Sequence, residues 1–67
     1  MNVNIQLIES EVACCRIKYP DWRTGQAYFN IVHTYYPDIA EQVRGTKYDC
    51  FYDDSKIEIF KQRIIEL

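Results

Sequence analysis

The sequence predicts an all-α protein, a compact bundle of three to four short helices with one irregular segment before the last helix. Three observations predict it. Apolar residues recur at three- and four-residue steps in every periodic stretch. Pro20, Pro37 and Gly45 each follow the end of such a stretch, and the one segment with strand character, Tyr48–Tyr52, is too short to build a sheet alone.

Ile5, Ile8, Val12, Cys15 and Tyr19 step along one helical face, while Glu9, Glu11, Arg16 and Lys18 lie off it. A first helix over Asn4–Lys18 follows, ending before Pro20 because the residue preceding proline disfavours helical torsions. Asp21 is the expected N-cap of a second helix carrying Trp22, Phe29, Val32 and Tyr36. Tyr28, Ile31 and Tyr35 widen that face, so this helix should be buried on more than one side. Gly25 inside it is disfavoured by about 1 kcal/mol against alanine. It marks either a close approach of another helix or a helix that begins after it. Pro37 ends the second helix, and Asp38 can cap a third, Ile39–Arg44, with Ile39, Ala40 and Val43 inward. Gly45 suits the left-handed residue that follows a helix. Residues 46–53 form the irregular segment. Asp53, Asp54 or Ser55 then caps a last helix with Ile57, Phe60, Ile64 and Leu67 on one stripe.

Composition narrows the function classes. A chain of 67 residues allows one domain, spanning 1–67, with a thin core. A hydrophobic fraction of 48%, with six Tyr, three Phe and one Trp, is too rich for a disordered chain. The net charge of −2, with signs interspersed, gives no general attraction to nucleic acid or anionic membranes. No apolar run reaches membrane-spanning length, and Met1-Asn2-Val3-Asn4 lacks the features of a secretory signal, so a cytoplasmic location is expected. Cys14, Cys15 and Cys50 are an odd set with no C-x-x-C spacing, and His33 is the one histidine. No metal or cofactor is expected, and the thiols should be free and mostly buried.

Four groups of residues are candidate sites. Asp49, Asp53 and Asp54 lack the alternating ligands and central glycine of a calcium loop, and helix capping accounts for Asp53 and Asp54. Cys50 and His33 could form a thiolate–imidazole pair, but their spacing does not indicate one, and a lone histidine beside tyrosines reads as a partly buried structural residue. Arg16, Lys18, Trp22 and Arg23, with Arg44 and Lys47 around Gly45, could hold phosphates and stack bases, against an acidic net charge. The aromatic surplus, Tyr28, Tyr35, Tyr36, Tyr48 and Tyr52, exceeds what one stripe per helix can bury and points most strongly to an interface.

The runs Pro20-Asp21-Trp22-Arg23-x-Gly25-Gln26-x-x-Phe29-Asn30, Pro37-Asp38-Ile39-Ala40-Glu41-Gln42-Val43-Arg44-Gly45-Thr46 and Phe51-Tyr52-Asp53-Asp54 resemble a group of small uncharacterised bacteriophage and prophage proteins. The resemblance covers roughly Pro20 to Phe60, although members of the group often carry proline where this chain has Cys50. It implies a viral or prophage origin and action inside a bacterial cell, with no assigned chemistry. On the second-helix face, Arg23, Gln26 and Asn30 either knit the helices to the irregular segment or form a recognition surface. The expected function is a non-enzymatic, phage-type interaction protein that modulates or inhibits a host protein, such as a defence protein. The expected contact residues are Trp22, Arg23, Gln26, Tyr28, Tyr35, Arg44, Tyr48 and Tyr52. The expected partner is a host or phage protein, with self-association as a further expectation and no membrane. The alternative is a small nucleic-acid-associated regulator.

Overall fold

The computed structural model describes residues 3–67, and within them the chain forms four α-helices and no strand. They are α1 (Ile5–Lys18), α2 (Thr24–Tyr35), α3 (Pro37–Val43) and α4 (Ile57–Glu66). A single 3₁₀ turn, Asp54–Lys56, leads directly into α4. The all-α bundle read from the periodicity is the fold. No described helix is long and apolar enough to cross a membrane.

α2 is the central element because its apolar residues cover more than one face. Ala27, Tyr28, Phe29, Ile31 and Val32 are all buried. They meet Ile8 and Val12 of α1, Ile39, Ala40 and Val43 of α3, and Phe60 and Ile64 of α4 in one core that also takes in Cys50. The outer members of the expected stripes sit at its edge. Ile5, Cys15, Ile57 and Leu67 are half-buried, and Tyr19 is exposed.

The helix ends follow local chemistry in three places. Asn4 caps α1, its side chain accepting from the Leu7 amide at 3.1 Å. Gly45 adopts φ +74° just past α3. Asp53 caps the 3₁₀ turn through the Ser55 amide at 3.0 Å, and the bonds from the Ser55 hydroxyl and amide hold its carboxyl below the usual carboxylate range.

Three expected boundaries are corrected. α2 starts at Thr24, three residues after Asp21, and its N-cap Arg23 makes no side-chain cap bond. Asp54, 29 residues further along the chain, instead accepts from the Gly25 amide at 2.9 Å. A carboxylate held by tertiary packing thus replaces the local one. α3 begins at Pro37, with Asp38 in its first turn rather than at the cap, because proline lacks the N–H that the first helical position leaves unpaired. The same helix stops at Val43, so Arg44 is its C-cap.

Neither expectation for Gly25 holds as stated, because α2 begins before it, at Thr24, and what packs against it is the irregular segment rather than another helix. A β-carbon there would overlap the carbonyl oxygen of Cys50, so the irregular segment lies directly on the α2 backbone. The Cys50 thiol donates to the Gly25 carbonyl at 3.3 Å.

Asp54→Ala removes the carboxylate that caps α2 and pairs with Arg23 at 3.6 Å. It is expected to lower the unfolding free energy by about 0.5–2 kcal/mol in urea titration followed by circular dichroism, with Asp54→Asn closer to the parent.

Candidate functional site

The irregular segment is folded by its own hydrogen bonds. After Gly45 reverses the chain, the Asp49 carboxylate accepts from the Gly45 amide at 2.7 Å and from the Phe51 amide at 2.9 Å. The Thr46 hydroxyl donates to the Val43 carbonyl at 2.7 Å. With Cys50 buried beneath, this bracing sets Phe51 edge-on to Phe29, ring centroids 5.8 Å apart at 89°. Tyr52 then packs on Phe51 at 4.7 Å while remaining 83% exposed.

The result is a half-open cleft of about 280 Å³ between the second half of α2, the end of α3 and this segment. Phe29, Phe51 and Tyr52 form its aromatic wall, and Asn30, His33, Arg44 and Asp49 supply polar groups. Arg44 is fixed in place. Its Nη2 and Nε lie 2.7 and 2.9 Å from Glu41 Oε2, and its guanidinium sits 5.3 Å from the Phe29 ring centroid. His33 Nε2 stands 3.6 Å from the same carboxylate oxygen. His33 is exposed rather than partly buried, because it lies in the last turn of α2 on the side away from the core.

Of the eight residues expected to touch a partner, the structure brings two, Arg44 and Tyr52, to the cleft. Trp22 stacks on Tyr19 at 4.5 Å and 14° between α1 and α2. Arg23 pairs with Asp54, and Gln26 is half-buried. Tyr28 belongs to the core, where its hydroxyl donates to Glu9 at 2.8 Å; burial, then Glu9, pushes its pKa up. Tyr35 donates to Glu11 at 3.2 Å, joining α2 to α1, and the Glu11 carboxylate raises its pKa. Tyr48 is half-buried beneath Arg63, 5.2 Å from its ring centroid. The aromatic surplus therefore divides between core, inter-helix clasps and one exposed cleft. Phe29, Asp49 and Phe51 are cleft residues that the helical pattern assigned to the core, to a loop, or to nothing. The available signal was the Gly45…Asp49-x-Phe51 spacing of a side-chain-braced turn.

Asp49, Asp53 and Asp54 each accept backbone amides, and among the described residues no cluster of three or more His, Cys, Asp or Glu could hold a metal ion. Cys50 and His33 are not paired, for the thiol bonds Gly25 and the imidazole faces Glu41. The three thiols are free, but only Cys50 is buried, because Cys14 lies on the outer face of α1 and Cys15 at its edge. Lys18 lies over Tyr19 and Lys47 over Tyr48, while Arg23 and Arg44 are held by acids, so the basic residues are split between two joins of the fold.

No family model matches the chain. No curated protein and no solved structure matches it either.

Burial, followed by the charge of Asp49, pushes the Cys50 thiol up to about 12 from an ordinary value of 9.0. Its contribution to stability is complete below the unfolded value and is lost as pH rises toward the folded one. In maleimide labelling of native protein near neutral pH, Cys14 is expected to react first and Cys50 only after denaturant is added. Equal labelling of both in the native state would contradict the packing.

Proposed function

We propose that this protein is a non-enzymatic interaction factor that docks a partner protein through the aromatic cleft. The observation that carries this reading is Tyr52, a large aromatic side chain left 83% exposed beside a formed recess on a chain that otherwise buries or clasps most of its rings. Tyrosine and arginine at a recess are typical anchors of protein interfaces. Here an apolar side chain of the partner enters between Phe29, Phe51 and Tyr52, and the Arg44 donors not used by Glu41 meet a partner carboxylate or carbonyl at the rim. Glu41 and the Phe29 ring hold the Arg44 guanidinium in one orientation, which lowers the entropy lost on binding.

The small size of the chain and its resemblance to phage and prophage proteins support the setting. The partner in this reading is a protein of the bacterial cytoplasm, which the factor modulates or inhibits, a defence protein being the concrete case. A second reading, association with nucleic acid, is favoured by the stacked Tyr19–Trp22 pair beside exposed Arg16 and Lys18.

Affinity capture from nuclease-treated bacterial lysate, followed by mass spectrometry, tests the two together. A stoichiometric protein partner is expected to survive nuclease treatment. Tyr52→Ala, which removes an exposed ring, is expected to weaken its binding roughly tenfold or more without altering the circular dichroism spectrum. Capture abolished by nuclease would transfer the reading to nucleic acid, and capture indifferent to Tyr52→Ala would remove the cleft from it.

A further inference from the structure

The face of α1 turned away from α2 carries no charge. Gln6, Ser10, Ala13, Cys14 and Ile17 fall on one stripe at three- and four-residue steps, and all five are exposed. A solvated helix face is ordinarily its charged one, and 27% of this chain is charged. Ile17 is nevertheless 85% exposed, more than any other large apolar side chain among the described residues.

The charges of α1 lie along the two edges of that stripe in a fixed order. Glu9 and Arg16, seven residues apart, share one edge, and Glu11 and Lys18, also seven apart, share the other. Both edges are acidic toward the N-terminus and basic toward the C-terminus. A parallel copy of the helix would set like charge beside like charge. An antiparallel copy, related by a two-fold axis near Ala13 and Cys14, sets Glu9 beside Arg16 of the second copy and Glu11 beside its Lys18. Every such pair is made twice, as an isologous contact requires. Within the chain, Glu9 already accepts from the Tyr28 hydroxyl and from Lys61 at 3.3 Å, and Glu11 accepts from Tyr35. These bonds fix the carboxylates at the edges of the stripe, and each uses only one carboxylate oxygen.

We infer that α1 is a self-association face, and that two copies of this chain pair antiparallel through Gln6, Ser10, Ala13, Cys14 and Ile17 with complementary charged edges. A single helix face is smaller than a standard interface, so the dimer is in exchange with monomer at accessible concentrations. The cleft lies on other elements and plays no part in this pairing.

Sedimentation velocity over a range of concentrations tests the inference, alongside cross-linking of the Cys15→Ser protein with a short bis-maleimide. The expected result is a mass that climbs from monomer toward dimer with concentration and falls back as salt rises. A Cys14–Cys14 cross-link should form in the same conditions. Ile17→Glu, at a position where folding buries almost nothing, should abolish both while leaving the circular dichroism spectrum unchanged. Monomer at every concentration, or a dimer indifferent to Ile17→Glu, would overturn the inference. So would Ile17 serving instead as the contact for a different protein on a monomeric chain.

Discussion

The close approach of Cys50 to Gly25 is the constraint on which the rest of this structure depends. It places the carbonyl of an irregular segment against the first turn of α2, in space that only a residue without a β-carbon leaves open. Two hydrogen bonds then close on Gly25, and a third group delivers one of the partners. The Cys50 thiol donates to the Gly25 carbonyl, the Gly25 amide donates to Asp54, and Asp53 starts the 3₁₀ turn that brings Asp54 there. One glycine thereby joins the start of α2 to the approach to α4. Without that seat, residues 46–53 would keep their internal turns but lose their fixed position over Phe29, and the aromatic wall of the cleft would go with it.

Most other polar contacts contribute position more than stability. The ion pairs of Glu41 with Arg44 and of Glu9 with Lys61 involve partly or largely exposed side chains, and such pairs typically add about 0–1 kcal/mol. Their value lies in geometry. Glu41 orients Arg44 across Phe29, and Glu9 ties α1 to both Tyr28 and α4. The folding free energy rests instead on burial around α2, whose Tyr28, Phe29, Ile31 and Val32 face three other helices. With so few core residues, each is expected to matter more than its counterpart in a larger domain.

The helices were legible because their signal is local. The stripe of α4 and the Ile8–Val12 part of that in α1 follow the 3.6-residue period, and Gly45 and Asp53 obey capping rules written within a few residues, as does Asn4, which caps α1 rather than opening it. What was not legible came from residues distant in sequence. Asp21 has the right chemistry for a cap, yet Asp54 takes the role from 29 positions away, a substitution that no window of local sequence reveals. The cleft divides in the same manner. Arg44 and Tyr52 stood out as polar or surplus aromatic residues. Phe29 and Phe51 become wall residues only because the seat at Gly25 brings their rings together. Tyr28, Tyr35 and Tyr48 stood out for the same reason as Tyr52, and the fold spends them on core and clasps, since a tyrosine pattern does not tell a buried ring from a presented one.

The sign of one substitution separates this arrangement from an ordinary helix. In a helix with open space around it, Gly→Ala stabilises by about 1 kcal/mol. At Gly25 the added methyl meets the backbone of Cys50, and relieving that overlap is expected to outweigh the helical gain by about 1–3 kcal/mol. Denaturant unfolding of Gly25→Ala should therefore show a lower midpoint than the parent, with the Cys50 thiol exposed earlier. A midpoint equal to or above that of the parent would mean that the segment does not sit on α2 as described here.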